Sequence, residues 1–354
     1  MKKELLIASA LTASFGLAGV AEAASASFSG NVRTGVKGSD TDGTADGTYA
    51  ADQKASISFS VSETTDAGVK ISTGFTMVDE GTDDGADPSG LTLTFTDGSK
   101  MDIIEAGNAY ATHTAAVPGA SGEQSISGTT DNSAPGGLNF ANASDSVGFE
   151  YHSAADAMGI EGLKWGVSAA FGDDGDGASS STAESSYSVG VSYVSTAGDT
   201  TVTVGGGFVA AADSNATTSN DKSDEFTLAL SAVTGSLTVG AGFSSGTEVQ
   251  SNSASTQSVE VDGAEVMTVG AKYVSGDMTM SIGYVDGEAK DTATFGTQGT
   301  NIDSKESMSA SIDYAVASGV TATVGYTSVD SADEGVSDSA NSGSSWYIGT
   351  NVSF

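Results

Sequence analysis

The sequence of 354 residues lacks cysteine altogether and contains only three prolines, two histidines and a single arginine. Without cysteine the chain can form no disulfide, no thiolate metal site and no thiol nucleophile. Its 12 basic residues face 46 acidic ones, and the formal net charge of −34 excludes nucleic acid as a partner, because phosphates require a basic surface. The two histidines form no HExxH motif, and we predict that the protein is not an enzyme.

Long apolar runs are also missing, with one exception near the N-terminus. Two lysines precede an apolar stretch over residues 5–20, and Ala-Glu-Ala at 21–23 provides a small-x-small cleavage site, followed at once by a second one. This pattern predicts a secretory signal peptide over residues 1–23. The alternative is a membrane-anchoring helix, for which about sixteen residues are short. Residues 24–354 contain no run of eighteen apolar residues and no distinct linker, so we predict one domain without a transmembrane helix.

The sequence is rich in short segments in which apolar and polar side chains alternate. In the last nine residues, the side chains at 346, 348, 352 and 354 are apolar or aromatic, and polar residues or glycine stand between them. Successive side chains of a strand point to opposite faces, so the pattern predicts a strand with one apolar and one polar face. The 47 glycines, together with many Ser, Thr, Val and Ala residues, favour strands joined by turns.

Sixteen such segments follow one another between residue 28 and Phe354, and the links between them alternate in length. Short links are predicted at about 64–68, 97–99, 153–162, 195–199, 233–236, 275–277 and 317–319, and long links at about 38–53, 78–90, 108–144, 173–183, 211–223, 245–263, 286–304 and 328–344. This alternation is typical of an all-β, sixteen-stranded antiparallel transmembrane barrel with lipid outside and water inside. A soluble β-sandwich also has alternating strands, but rarely keeps paired hairpins over such a length.

With this organisation the chain resembles the sixteen-stranded general diffusion porins of Gram-negative outer membranes, especially the alphaproteobacterial type. The resemblance spans residues 24–354 and is most specific in the terminal strand and in segment 98–108, which is similar to the family's fifth strand. It implies an outer-membrane channel for passive diffusion of ions and small hydrophilic solutes. It also implies contact with lipid and lipopolysaccharide, assembly as a homotrimer, and a third loop, here residues 108–144, that folds back into the lumen.

The resemblance further implies a polar constriction, in which acids on the third loop face basic residues on the opposite wall. Strand parity turns four basic side chains inward, and the acids available lie at the base of the loop or within it. These residues are Arg33, Lys37, Lys54 and Lys70 on the wall, Asp102 and Glu105 at the base, and Glu123 and Asp131 in the loop. Only Arg33 is expected near mid-height. The alternative is that these groups are solvated lumen charges without a joint role.

The long loops carry acidic clusters that raise the question of metal binding. Asp173, Asp174 and Asp176 are interspersed with glycine in the fourth loop and offer oxygen ligands for a weakly bound Ca²⁺. No glutamate follows at the twelfth position, so a solvated acidic loop is the other interpretation. A secreted, acidic, calcium-binding β-rich matrix protein is the alternative function, but it predicts a fixed Asp/Gly repeat that the sequence lacks. We therefore predict a channel without a required cofactor, and with cation preference because its loops are acidic.

Overall fold

The computed structural model describes residues 24–41, 48–80, 83–106, 108–121, 146–170, 183–213, 222–251, 258–290, 302–332 and 342–354. Nearly all of them belong to strands, which in chain order are β1 Ser25–Thr41, β2 Thr48–Thr64, β3 Lys70–Glu80, β4 Asp83–Thr94, β5 Lys100–Ala106, β6 Ser146–His152, β7 Leu163–Ala170, β8 Ala183–Ala197, β9 Thr200–Asp213, β10 Lys222–Thr234, β11 Leu237–Ser251, β12 Ser258–Ser275, β13 Met278–Lys290, β14 Ile302–Ala317, β15 Val320–Ala332 and β16 Gly343–Ser353. One helical turn, α1 (Ala109–His113), follows β5, and a 3₁₀ turn covers Ala157–Gly159. None of the described helices has the length and apolar character required to span a bilayer.

The sixteen strands form a closed barrel in which every strand pairs antiparallel with its sequence neighbours and β1 pairs with β16. The fold class predicted from the sequence is therefore confirmed. Several links predicted to be long are partly strand: within 78–90, for example, β3 runs to Glu80 and β4 starts at Asp83. This hairpin has no apolar face and leaves no periodic signal in the sequence. The backbone ladder nevertheless continues there, because its hydrogen bonds do not depend on side-chain polarity.

The two faces of the wall differ as the alternation predicts. On β10, Phe226, Leu228 and Leu230 are exposed on the outer face, whereas the alternating residues Glu225, Thr227 and Ala229 are buried on the inner face. Apolar side chains are exposed in the same way on the outer faces of β1 to β3, β8, β9 and β11 to β16. An outer surface of this kind is stable against hydrocarbon but not against water.

Aromatic side chains mark the two ends of the outer surface. Tyr193, Tyr273 and Tyr314 lie near the short turns, and Tyr49 and Tyr187 lie near the long loops. Six residues separate Tyr187 from Tyr193 on β8, which corresponds to about 20 Å along the strand. Two such rows are typical of the aromatic girdles at the interfaces of a membrane.

The seam between β1 and β16 is closed by aromatic rings that lie over glycines. Gly30 and Phe354 exchange two backbone hydrogen bonds of 2.9 and 3.0 Å, and the Phe354 ring covers Gly30. At the other end of the seam, the Trp346 ring covers Gly38 in the same way. A side chain at either glycine would displace the ring, so both positions require glycine. The terminal aromatic residue thus takes part directly in closing the barrel.

Candidate pore constriction

The segment after β5 folds into the lumen and crosses half of the inner wall. It begins at β7 and β8, where the backbone N–H groups of Ala109 and Tyr110 donate hydrogen bonds of 3.3 Å to the hydroxyl oxygens of Ser168 and Ser188. It reaches β14 at Ser121, whose hydroxyl and backbone N–H both contact the wall. The inserted third loop predicted from the family resemblance is thereby confirmed for residues 108–121.

Side-chain hydrogen bonds hold both ends of this segment. The Tyr110 hydroxyl donates a 2.9 Å hydrogen bond to Glu225 on β10, and the Ser121 hydroxyl donates one of 2.5 Å to Asp313 on β14. Each carboxylate lies on the inner face of its strand. The loop is therefore anchored at two points, four strands apart.

From β7 to β13 the described part of the loop lies on a row of inward-facing glycines, here named the glycine belt. Its members are Gly166, Gly190, Gly205, Gly207, Gly240, Gly270 and Gly283, on β7, β8, β9, β11, β12 and β13. A Cβ atom added at Gly166 would lie 2.8 Å from Nε2 of His113, and one added at Gly240 would lie 2.8 Å from Cδ of Pro118. Ordinary contacts of a Cβ begin at 3.4 Å. The path of the loop therefore depends on the absence of side chains from the wall.

The wall that faces the loop carries the predicted basic residues. In a ring of sixteen strands, β1 and β2 lie opposite β9 and β10. Arg33 and Lys54 therefore face the glycine belt across the lumen. These two residues are direct partners in the β1–β2 register. The described part of the loop, residues 108–121, therefore leaves the side of the lumen lined by β16, β1 and β2 uncovered.

Arg33 is neutralised by an acid that the sequence analysis did not identify. Its Nε and an Nη donate hydrogen bonds of 2.6 and 3.1 Å to the two carboxylate oxygens of Asp52, and Lys37 Nζ lies 4.0 Å from the same group. The Asp52 side chain is only 5% exposed. Such a bidentate pair has a fixed geometry and no net charge. The single arginine therefore contributes a dipole to the wall rather than an isolated positive charge.

The other predicted constriction residues lie elsewhere or outside the described part of the chain. Lys70 is exposed at the short-turn end of β3, where it pairs with Thr64 and Thr94, away from Arg33. Asp102 lies on β5 and accepts a hydrogen bond from Thr92. Glu105 pairs with Val147 in the β5–β6 register, and its side chain is not among those described. Glu123 and Asp131, together with Asp173, Asp174 and Asp176, lie outside the described residues.

A polar cluster that joins α1 to the wall was also missed. His113 Nε2 lies 3.1 Å from Nδ1 of His152, and the other His152 nitrogen lies 2.9 Å from Glu150. The Thr112 hydroxyl donates a 3.1 Å hydrogen bond to the same carboxylate. Burial, followed by the neighbouring His152, lowers the pKa of His113 to about 4, so this ring is neutral at physiological pH. Only the shared parity of Glu150 and His152 could have suggested the cluster from sequence.

These features together define a class of protein: a membrane-spanning barrel with an apolar outer wall, a polar lumen and an inserted loop that narrows it, which is the architecture of a porin. A family model described as Gram-negative porin matches residues 8–334, and the chain belongs to this family. Family and fold place the protein in the bacterial outer membrane as a channel rather than an enzyme, as predicted. No curated protein sequence matches the chain.

Solved porin structures share this fold at low sequence identity. Salmonella typhi OmpF in complex with daunomycin has a TM-score of 0.65 at 15% identity and covers 93% of this chain and 97% of its own. The trimer form of Vibrio cholerae OmpT has a TM-score of 0.58 at 16% identity, and an anion-selective porin from Comamonas acidovorans one of 0.59 at 14%. Both matches cover 94% of this chain and 100% of the other. At these identities the similarity concerns the fold alone.

Proposed function

We propose that the protein forms a water-filled channel for passive diffusion of ions and small hydrophilic solutes, with a preference for cations. The observation that carries the cation preference is the pairing of Arg33 with Asp52. An unpaired arginine on the wall opposite the loop would attract anions into the narrow passage, whereas the pair is neutral. Lys37 and Lys54 lie on the same wall, so we propose that the acidity of the chain as a whole, with a formal net charge of −34, outweighs these two basic residues.

The range of this acidic field limits where it acts. Charges are screened over about 8 Å at physiological ionic strength and over about 3 Å at 1 M salt. Acidic residues in the long loops therefore concentrate cations at the mouth of the channel, and their effect fades in concentrated salt. Solute size is limited by the passage between the inserted loop and the wall formed by β16, β1 and β2.

Reversal potentials under a KCl gradient test this proposal in planar bilayers. We expect a potential of the sign for cation preference at low salt, and a smaller one when both compartments are concentrated. Anion preference at low salt would contradict the proposal and would mean that the basic residues of β1 and β2 control the passage. A protein that inserts but conducts no ions would contradict the channel itself.

We further propose a homotrimer whose contact includes the outer faces of β16, β1 and β2. At mid-height on these strands, Thr350, Thr34 and Gln53 form a polar row, because Thr34 pairs with Thr350 on one side and with Gln53 on the other. Polar side chains cost free energy in hydrocarbon unless they are hydrogen-bonded. Contact with a second copy would remove this row from lipid, and the OmpT structure that shares the fold is described as a trimer.

Two alanines on outer faces give a matched test of the contact. Ala55 lies beside this row on β2, and Ala241 lies on β11, on the far side of the barrel. We expect Ala55→Trp to convert detergent-extracted trimers to monomers in light scattering, because the ring would fill the interface. Ala241→Trp should remain trimeric, since lipid accommodates the ring. Equal behaviour of the two variants would contradict this placement of the contact.

Three sequence predictions remain as proposals of the same function. We expect removal of residues 1–23 during export, which N-terminal mass analysis of the membrane form would show. We propose contact of the protein with lipid and lipopolysaccharide, and weak Ca²⁺ binding at Asp173, Asp174 and Asp176 as the alternative to a solvated loop. Replacing the three aspartates together by asparagine should lower Ca²⁺ binding if the loop is a site, and leave it unchanged if it is only solvated.

A further inference from the structure

The lumen contains one group of side chains with the composition of a transition-metal site. Asp102 on β5 and Glu150 on β6 are direct partners in the strand register, and His152 follows two residues after Glu150 on the same face. One ligand atom from each of the three residues lies within 4.8 Å of the other two. Two carboxylates and one imidazole converge here on a space next to the inserted loop.

The two carboxylates lack a basic partner. Among the described residues, no lysine or arginine forms an ion pair with Asp102 or Glu150, and Glu150 is only 5% exposed. Their hydrogen-bond donors are hydroxyl groups, from Thr92 to Asp102 and from Thr112 to Glu150. Two adjacent carboxylates on one face repel each other unless a cation lies between them. Within the cluster the ring of His152 can supply part of this charge. Lys100, the register partner of His152, and Lys164, which interacts electrostatically with His113, lie nearby without an ion pair to either carboxylate among the described contacts.

The two histidines have two consistent tautomer arrangements. In one, His152 Nε2–H donates to Glu150, and in the other, this nitrogen is available as a ligand. His113 Nδ1 lies 3.0 Å from the hydroxyl oxygen of Ser192, and its Nε2 lies 3.1 Å from Nδ1 of His152. If each ring donates its Nδ1 proton along this chain, His152 Nε2 carries a lone pair directed at Glu150, 2.9 Å away. Two lone pairs at this distance repel each other, so this arrangement requires a cation between them. A metal ligand histidine typically donates its second N–H to a neighbouring acceptor in this manner.

We propose that Asp102, Glu150 and His152 bind a divalent first-row transition metal of the Zn²⁺ type. A nitrogen and an oxygen that both ligate Zn²⁺ at about 2.0–2.1 Å lie roughly 3 Å apart, which matches the His152–Glu150 distance. The imidazole ligand favours such metals over Ca²⁺ and Mg²⁺, which bind oxygen. His113 acts as a positioning residue that fixes the orientation of the His152 ring. Because Thr112 and His113 belong to α1, the bound metal would also tie the inserted loop to the wall.

Calorimetric titration of the full trimer with Zn²⁺ in excess Ca²⁺ tests the site, since Ca²⁺ saturates the acidic loops first. We expect one saturable Zn²⁺ site per chain, lost in His152→Asn and in Asp102→Asn. His113→Asn should lower the Zn²⁺ affinity about 10- to 100-fold while one site per chain remains. Asp313→Asn is the matched control: it removes an inward carboxylate that holds the loop at Ser121, and it should keep Zn²⁺ binding.

The absence of saturable Zn²⁺ binding above the Ca²⁺ background would overturn the proposal, as would wild-type affinity in His152→Asn. If the ligand variants do not fold, electron paramagnetic resonance of Cu²⁺ bound to the wild-type protein identifies the ligand atoms instead. Splitting of the Cu²⁺ signal by one imidazole nitrogen is the expected result. A spectrum with oxygen ligands alone would assign the metal to the acidic loops and refute the site.

Discussion

A substitution at Gly240 perturbs most directly the contact between the glycine belt and the inserted loop. A Cβ atom at this position would lie 2.8 Å from Cδ of Pro118 and 3.1 Å from Cα of Val117, whereas ordinary contact begins at 3.4 Å. In Gly240→Ala the loop must therefore retreat by about 0.6 Å or deform. Overpacking of this kind costs about 1–3 kcal/mol, which corresponds to a roughly 5- to 160-fold shift in the equilibrium between the seated and the displaced loop.

Single-channel recording in planar bilayers measures this displacement. We expect Gly240→Ala to show greater open-channel noise and additional conductance levels, because a loop that is less firmly seated changes the width of the passage. The barrel itself should remain intact, since the outer face of β11 is unchanged. Resistance to unfolding in detergent, monitored by circular dichroism, should confirm this.

A second substitution tests whether the effect of Gly240→Ala comes from its contact with Pro118. In the double variant Gly240→Ala/Pro118→Ala the clashing Cδ atom is gone, and we expect partial recovery of the wild-type recordings, because the 3.1 Å contact with Cα of Val117 remains. At Gly270 the nearest atoms to an added Cβ are the backbone oxygen and carbon of Pro118, so Pro118→Ala should not rescue Gly270→Ala. Wild-type behaviour of Gly240→Ala, or equal rescue of both variants, would refute the role assigned to the glycine belt.

Three further predictions concern the seam, the wall and the loop anchor. Phe354→Asp should lower the amount of folded protein in the outer membrane, because the ring no longer covers Gly30. Phe354→Tyr keeps a ring and serves as the control. Wild-type assembly of the Asp variant would contradict this role. Asp52→Asn should shift the reversal potential at low salt towards anions, since Arg33 loses its counter-charge; an unchanged potential would show that the pair lies outside the ion path. Tyr110→Phe removes the hydrogen bond to Glu225 and should increase open-channel noise, whereas Tyr151→Phe, on the outer face of β6, should not.

The strands could be predicted because their two faces differ in polarity and their period is two residues. Where that difference disappears, prediction failed: the hairpin of β3 and β4 around Glu80 and Asp83 was predicted as a loop, although the ladder continues there. The number of strands and the closure of the barrel were nevertheless predicted correctly. They depend on the apolar faces that must meet lipid, and these are present in every strand.

Less of the constriction than of the barrel could be predicted from the sequence. Parity predicted that Arg33 points inward, but its partner Asp52 lay in residues 38–53, which were predicted as a loop. The path of the inserted loop could not be predicted, because glycines give no periodic signal and the residues they contact are distant along the chain. Asp313, for example, lies 192 residues from Ser121 in sequence, and only the closed barrel brings the two together.

The glycine belt divides the barrel into two halves that tolerate sequence change differently. Along β7 to β13, the gain of a single methyl group at any of seven positions collides with the loop or with an adjacent strand. The half made of β14 to β16 and β1 to β4 carries no such restriction from the described part of the loop, and the Arg33–Asp52 pair stands there. Homologues should therefore vary the charge of their passage on this half while the other half stays fixed. Ion selectivity could then diverge between species without any change in the route of the loop.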